Sequence, residues 1–231
     1  MREPLIIGHR GASAVAAENT MAAFQAAIAA GADGVEFDVR LSRDGVPVII
    51  HDDTLQRTVG LRKRVAEMTA EELRRVEVPS LRELFELMAE NSLILYLEIK
   101  SREPELGELC CRMVREFGFE QRVIVECFEL EVLRSIDLTT AALFGPRIYT
   151  ERNRIEQALE IGASVIALHH RLARPPLVEQ ARRAGLRVVV WTVDSPAWVP
   201  RARTMGVEAL ITNDPARLIE AADQIRVELK R

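Results

Sequence analysis

The sequence predicts an α/β fold, a (β/α)8 barrel of the TIM type with a small hairpin extension after the second strand. An amphipathic segment, a glycine and a β-branched run recur along the chain, as in AAIAAGADGVEFDV, ALEIGASVIALHH and EQARRAGLRVVVWTV. Glycine commonly follows helix C-termini, and runs rich in Val and Ile are typical of buried parallel strands. We expect one barrel domain to occupy residues 1–231. The first strand is not followed by G-x-G-x-x-G, which disfavours an open dinucleotide-binding sheet.

Apolar runs of strand length predict the barrel strands in order. The eight runs cover residues 4–9, 34–40, 93–100, 122–128, 141–145, 164–169, 186–192 and 208–212. Apolar residues that recur every three to four positions predict helices between them, among others over residues 20–30, 105–117 and 195–204. A turn at residues 42–45 and a short strand over residues 46–50 predict the hairpin. Residues 54–80 carry charged helical material, and no flexible linker divides the chain.

Composition and charge exclude several classes of function. Hydrophobic residues make up 48% of the chain and charged residues 29%, as in folded proteins with a sizeable core. The net charge of −4 gives no basic surface, so we expect no nucleic-acid partner. No apolar run has membrane-spanning length and the start lacks a signal-peptide core, so we expect a cytoplasmic protein without stable membrane association. Cys110, Cys111 and Cys127 lack disulfide or zinc spacing and are interpreted as structural thiols.

Polar side chains interrupt the apolar strands near their C-terminal ends, where barrel enzymes place their catalytic groups. These side chains are His9, Arg10, Glu36, Asp38, His51, Glu98 and Lys100. Because side chains alternate across a strand, Glu36 and Asp38 share one face, and so do Glu98 and Lys100. The strand ends therefore predict one shared polar site.

The three carboxylates Glu36, Asp38 and Glu98 predict a site for one divalent metal ion. An isolated E-x-D is more often the polar face of a half-exposed strand, but a third carboxylate on the neighbouring strand favours a metal. Carboxylate oxygens suit Mg²⁺ or Ca²⁺, with Mn²⁺ as a further candidate, and they do not suit tetrahedral zinc. Arg10 and Lys100 would then meet an anionic phosphate beside the metal. Lysine occurs only at positions 63, 100 and 230, so a lysine at position 100 stands out in a chain whose basic residues are nearly all arginines.

His9 and His51 are candidates for an acid/base pair. A lone histidine is more often an imidazole without a chemical role, but both of these end strands beside carboxylates. Two imidazoles on opposite sides of a phosphate could take a proton from the attacking group and give one to the leaving oxygen. The residues alone do not distinguish which histidine does which.

The motifs taken together resemble the glycerophosphodiester phosphodiesterase family. They are HRGASAVAAENTMAAF, GADGVEFDVRLSRDGVPVIIHDDTLQRT, LEIK at residues 97–100, WTVD at 191–194 and GVEALITNDP at 206–215. The resemblance covers nearly the whole chain and implies a (β/α)8 barrel. It also implies metal-dependent hydrolysis of a small-molecule glycerophosphodiester to glycerol phosphate and an alcohol. The route implied runs through a cyclic phosphate that the neighbouring glycerol hydroxyl forms.

The resemblance also implies roles for the residues already singled out. It makes His9 and His51 the acid/base pair, Glu36, Asp38 and Glu98 the metal ligands, and Arg10 and Lys100 the phosphate-binding cations. All three sets agree with what the strand-end pattern predicts. Trp191 is interpreted either as a pocket wall for the glycerol or alcohol or as part of the core.

The chain departs from the family pattern at two positions. Ala17 stands where a proline usually precedes E-N-T, and we expect Glu18 and Asn19 to brace this loop or cap the next helix. Cys127 stands where the family usually has serine. A thiolate nucleophile at Cys127 is an alternative to a plain substitution, but burial would oppose ionisation of the thiol.

Three rival functions remain at this point. A lipid phosphodiesterase of the sphingomyelinase D or lysophospholipase D kind would share the two histidines and the acidic site. A catalytically silent anion-binding barrel would keep the fold without the chemistry. A metal-free sugar-phosphate isomerase is disfavoured by the triple carboxylate.

Overall fold

Eight parallel strands close into a barrel in the computed structural model, which describes residues 3–101, 103–146 and 153–229. The barrel strands are β1 Leu5–His9, β2 Gly34–Leu41, β4 Ile94–Ile99, β5 Val123–Cys127, β6 Thr139–Phe144, β7 Val165–His169, β8 Arg187–Trp191 and β9 Ala209–Thr212. The predicted strands are confirmed, with ends shifted by at most about two residues. The barrel closes because β1 pairs with both β2 and β9.

The hairpin predicted after the second strand is also confirmed. Strand β3, Pro47–Ile49, pairs antiparallel with the end of β2, so that Val39 faces Ile49 and Leu41 faces Pro47. The hairpin carries the chain to His51 at the C-terminal mouth of the barrel.

Helices connect most of the strands and form the outer layer. They are α1 Met21–Ala29, α2 Ala70–Arg74, α3 Leu81–Met88, α4 Pro104–Glu116, α5 Arg154–Glu160, α6 Pro175–Arg183, α7 Trp198–Met205 and α8 Pro215–Leu229. The helices predicted over residues 20–30, 105–117 and 195–204 correspond to α1, α4 and α7. Thr20 caps α1, its hydroxyl accepting a hydrogen bond from the backbone N–H of Ala23.

Two connections differ from the predicted regular alternation. A 3-10 turn, Leu130–Ser135, joins β5 to β6 in place of an α-helix, because the connection is too short for a helix and two loops. The charged segment 54–80 is only partly helical, with a 3-10 turn at Val65–Glu67 before α2. Its apolar residues instead pack under the hairpin as a small separate core. That core contains Val48, Ile50, Leu55, Val65, Met68, Leu73 and Val78.

The barrel interior is apolar in its lower part and polar at its C-terminal mouth. Ile7, Tyr96, Ala141, Val165 and Val189 are among the residues that fill the lower interior. A larger apolar layer lies between the barrel and the helices. Toward the C-terminal ends of β1, β2 and β4 the interior side chains include His9, Glu36 and Glu98, and this places polar groups together above the apolar lower interior.

No helix within residues 3–101, 103–146 and 153–229 is long and apolar enough to cross a membrane. The three cysteines are free and buried.

Candidate active site

The three predicted carboxylates meet at the C-terminal mouth of the barrel. Glu36 and Asp38 lie on β2, and Asp38 is in register with Glu98 on β4. One oxygen atom from each lies within 4.8 Å of the others, and all three side chains are buried. Among the described residues, Asp38 Oδ1 accepts no hydrogen bond of good geometry, and its contact is an ion pair with Lys100. Three converging, buried carboxylates fit a divalent cation that prefers oxygen ligands.

Arg10 and Lys100 compensate the charge of these carboxylates in the metal-free protein. Arg10 Nε lies 3.2 Å from Asp38 Oδ2, and the Arg10 backbone N–H donates to Glu36 Oε2 at 3.0 Å. Lys100 Nζ lies 2.6 Å from Glu98 Oε1 and 3.2 Å from Asp38 Oδ1. Both predicted phosphate-binding cations are therefore at the carboxylate group.

The carboxylates differ in charge state because their neighbours differ. Burial alone would raise the pKa of Asp38, but Lys100 and Arg10 oppose it and lower that pKa to about 2. Burial, reinforced by the charge of Asp38, raises the pKa of Glu36 well above its usual range. Burial and Asp38 likewise raise the pKa of Glu98. A bound cation would relieve the repulsion among them.

His9 is held at the mouth by a hydrogen bond to a residue from the other end of the chain. His9 Nδ1 and Asn213 Oδ1 lie 2.7 Å apart, and His9 Nε2 lies 3.8 Å from Glu36 Oε2. Burial, with the charge of Arg10, lowers the pKa of His9 to about 4, although the hydrogen bond that His9 donates to Asn213 opposes this. The imidazole is therefore neutral at pH 7.

His51 lies on the hairpin side of the same opening. Its Nδ1 lies 2.7 Å from Asp52 Oδ1, and Asp52 accepts a hydrogen bond of 2.6 Å from Arg57. Burial lowers the pKa of His51, although the nearby charge of Asp38 opposes this. The two histidines thus approach the carboxylates from different strands.

The loop after β1 is braced against the site, as expected for Glu18 and Asn19. Asn19 has a left-handed backbone with φ 59°, and its Nδ2 donates to Asp38 Oδ2 at 2.8 Å. Glu18 accepts hydrogen bonds from Arg10 and Arg57. Neither caps α1, because Thr20 does so. Gly11 is needed there, since an added Cβ would lie 2.5 Å from the backbone of Ala23.

The site residues surround a cavity of about 210 Å³. Its lining includes His9, Arg10, Glu36, His51, Glu98, Lys100, Glu126, Phe128, Leu143, Trp191 and Ile211. Trp191 lies on the cavity wall and packs edge-to-face against Phe128, with ring centroids 5.5 Å apart. The position of Trp191 corresponds to the interpretation as a pocket wall.

Cys127 does not face the cavity. It belongs to the apolar layer between barrel and helices, and its thiol donates a hydrogen bond to the carbonyl of Ile99. Burial raises the pKa of Cys127 to about 12, so the alternative of a thiolate nucleophile is wrong. A plain substitution accounts for this cysteine.

Two residues of the site, Glu126 and Asn213, are not among those predicted from the sequence. Glu126, one residue before Cys127, faces the interior and lines the cavity. The period of two along β5 could have placed it on the face of Phe128. Asn213 holds His9, and Asp194 in turn accepts hydrogen bonds from Asn213. Asp194 lies in the motif WTVD and Asn213 in GVEALITNDP, but no local feature of the sequence links either residue to His9.

Comparison with known proteins assigns this arrangement to a family. The profile of the glycerophosphoryl diester phosphodiesterase family matches residues 9–217. A glycerophosphodiester phosphodiesterase of Caldanaerobacter subterraneus subsp. tengcongensis is 34% identical and covers 93% of this chain and 96% of its own. One from Bacillus altitudinis is 28% identical and covers 96% of this chain and 99% of its own. The crystal structure of a glycerophosphodiester phosphodiesterase from Thermotoga maritima superposes with a TM-score of 0.82 at 28% identity, covering 98% of this chain and 99% of that one.

Proposed function

This chain belongs to the glycerophosphoryl diester phosphodiesterase family, and from this premise we propose that it hydrolyses glycerophosphodiesters by metal-assisted two-histidine catalysis. The products are glycerol phosphate and an alcohol. The observation that carries the proposal is the convergence of three carboxylates, two cations and two histidines on one cavity.

Glu36, Asp38 and Glu98 would hold one divalent ion, Mg²⁺ or Ca²⁺, with Mn²⁺ as the further candidate. The fit is supported by the 4.8 Å grouping of their oxygens and by the burial of all three side chains. When bound, such an ion supplies positive charge that polarises the phosphoryl group. The carboxylates themselves transfer no proton in this scheme.

His9 is suited to accept a proton. Asn213 Nδ2 donates to the Asp194 carboxylate at 2.8 Å, so the amide oxygen must face His9 and accept from its Nδ1–H. The neutral imidazole then carries its lone pair on Nε2. We assign His9 as the base that takes the proton of the neighbouring glycerol hydroxyl as that hydroxyl attacks phosphorus.

His51 is suited to donate a proton. The Asp52 carboxylate at its Nδ1 stabilises the imidazolium, whose Nε2–H would protonate the departing alcohol oxygen. These two transfers release the alcohol and leave a cyclic glycerol phosphate. Water opens the ring with the roles exchanged, because the protonated His9 returns its proton to the ring oxygen while His51 takes one from water.

Arg10 and Lys100 would bind the phosphate oxygens beside the metal. Their present partners, Asp38 and Glu98, are proposed metal ligands, so a bound ion would neutralise the carboxylates and free the cations for phosphate. Trp191 and Phe128 would form the apolar wall against the organic part of the substrate.

The test is release of glycerol phosphate from glycerophosphocholine, with and without a chelator. We expect turnover with Mg²⁺, Ca²⁺ or Mn²⁺ and its loss on chelation, with a transient cyclic glycerol phosphate visible by ³¹P NMR. Lysophosphatidylcholine and sphingomyelin are assayed in parallel. Cleavage of the lipids alone would replace this proposal with a lipid phosphodiesterase, and turnover that survives both chelation and His51→Ala would contradict the chemistry.

A further inference from the structure

Glu126 is a buried carboxyl group in the cavity that the proposed mechanism does not use. It lies on β5, in register with Glu98 on β4 and with Ala141 on β6. The residue is 2% exposed, and its Oε2 is buried with no hydrogen-bond partner among the residues that the structure describes. A buried polar atom without a partner is costly, so a group that meets it when the cavity is filled would be bound favourably.

Glu126 does not belong to the proposed metal-binding group. The oxygens that lie within 4.8 Å of one another come from Glu36, Asp38 and Glu98, and Glu126 contributes none to that group. The other lining residues that are not proposed to bind metal or phosphate or to transfer protons are apolar or aromatic, among them Phe128, Leu143 and Ile211. Glu126 is therefore a polar group of the lining that has no role in the proposed chemistry.

The charge around Glu126 selects the chemistry of its partner. Burial raises the pKa of Glu126 well above its usual range, and the charges of Glu98 and Asp38 add to this. Arg10 and Lys100 already offer positive charge to the anionic phosphate oxygens, which leaves the uncharged hydroxyl groups of the substrate for Glu126. A neutral hydroxyl group can donate to a carboxyl oxygen or accept from its proton, and so it satisfies Glu126 in either state.

The position of Glu126 selects which hydroxyl. It precedes Phe128 by two residues on the same strand face, so it lies one interior layer deeper than the aromatic wall. The cavity volume of about 210 Å³ is below the 300–1,000 Å³ of pockets for drug-sized ligands, which leaves room for a small group only. The alcohol part must depart through the mouth, so the glycerol part points inward. The middle hydroxyl of the glycerol stays near phosphorus as the attacking group. The terminal hydroxyl is then the one that can reach the interior layer of Glu126.

We propose that Glu126 binds the terminal hydroxyl of the glycerol moiety and makes the enzyme select glycerol over diols that lack this hydroxyl. The inference rests on the proposed function, because it takes the glycerophosphodiester and its attacking hydroxyl as given. Glu126 thereby becomes a specificity-determining residue for one end of the substrate.

The experiment compares two substrates on matched variants. Glycerophosphocholine is paired with 2-hydroxypropyl phosphocholine, which keeps the attacking hydroxyl and lacks the terminal one. We expect the natural protein to lose on the order of tenfold to a hundredfold in kcat/KM on the shorter diol, since a buried polar group is then left unpaired. Glu126→Leu, which has no polar group to leave unpaired, should bring the two substrates to within about threefold. Glu108→Gln, on the exposed outer face of α4, serves as the control and should discriminate like the natural protein.

The outcomes separate this inference from the proposed function. Equal kcat/KM for both substrates in the natural protein, or undiminished discrimination in Glu126→Leu, would overturn the role of Glu126 while leaving the enzyme assignment intact. A loss of Mg²⁺ affinity in Glu126→Leu, measured by calorimetry, would also overturn it and place Glu126 with the metal ligands. If Glu126→Leu does not fold, Glu126→Ala replaces it. No hydrolysis of glycerophosphocholine by the natural protein and Glu108→Gln would refute the proposed function, and this inference with it.

Discussion

Asn213 Oδ1 lies 2.7 Å from His9 Nδ1, although the two residues are 204 positions apart in the chain. Asp194 accepts hydrogen bonds from both the backbone N–H and the side-chain amide of Asn213, at 2.8 Å each. The carboxylate therefore fixes the amide, and the amide fixes the tautomer and direction of the imidazole. Ser13 also donates to Asn213 Oδ1, which completes the support of this oxygen.

Asn213→Ala should lower kcat on glycerophosphocholine about tenfold to a hundredfold with little change in KM, because His9 would lose the bond that orients it. Asn213→Asp offers a sharper readout. A carboxylate favours the imidazolium and raises the pKa of His9, so the acid limb of the kcat/KM profile should move to higher pH. Steady-state kinetics across pH measures both, and an unshifted acid limb would contradict the assigned base.

Glu36→Gln should lower metal affinity more than it lowers stability. Burial and the charge of Asp38 raise the pKa of Glu36, so the folded protein disfavours the charged carboxylate and an uncharged amide there should cost little stability. Calorimetric titration with Mn²⁺ gives the affinity, and urea unfolding with chelator gives the free energy of unfolding. Glu108→Gln is the matched control on an exposed helix. Unchanged Mn²⁺ affinity would remove Glu36 from the ligand set.

Lys100→Arg should reduce activity although the charge is kept. Lys100 Nζ fits between Glu98 at 2.6 Å and Asp38 at 3.2 Å, and its side chain is 11% exposed. A planar guanidinium is wider than an ammonium and presents its donors in a fixed fork, so it cannot occupy this position unchanged. Lys63→Arg at an exposed position is the control and should behave as the natural protein. Equal kcat/KM in the two variants would mean that Lys100 is incidental.

Asp52 should make stability depend on pH in acid. The hydrogen bond from Arg57 lowers the pKa of Asp52 most, burial opposes it, and the hydrogen bond from His51 lowers the pKa further, to about 2. This pKa lies below the unfolded value of about 3.9. The stabilisation is thus present above pH ~4 and is lost as the pH falls toward 2, because the unfolded state then binds protons first. Urea unfolding of the natural protein and Asp52→Asn between pH 2 and 5 measures the difference.

The gap between the two free-energy curves should widen as the pH rises from about 2 to about 4 and stay constant above pH ~4. The substitution Arg57→Met removes the hydrogen bond that lowers the pKa of Asp52 most. It should therefore also weaken the pH dependence of the free energy of unfolding. Parallel curves for the natural protein and Asp52→Asn would contradict the lowered pKa.

The barrel and most of its site residues follow from local features of the sequence. The alternation of apolar runs with helical periodicity and glycine predicts the strands, because each element takes its form from nearby residues. The period of two predicts that Glu36 shares a face with Asp38, and Glu98 with Lys100. The rule that parallel strands end at one mouth brings these pairs together without knowledge of contacts.

Other features depended on the tertiary structure. Cys127 is one position from Glu126, and the packing of β5 places Glu126 at the cavity and Cys127 in the apolar layer between barrel and helices. The segment 54–80 has helical composition, but its apolar residues gain more by packing under the hairpin than by continuing a helix.

What the sequence by itself determined was the fold class and the residue types at the strand ends, since both arise from short-range periodicity. What only the tertiary structure decided was the partner of each group: Asn213 for His9, Lys100 and Arg10 for Asp38, and, within the described part of the chain, no hydrogen-bond partner for Glu126 Oε2. Barrel closure joins β1 to β9, and this contact between distant segments leaves no periodic signal in the chain. Hydrogen bonds and charge states depend on distance and burial, which sequence spacing does not specify.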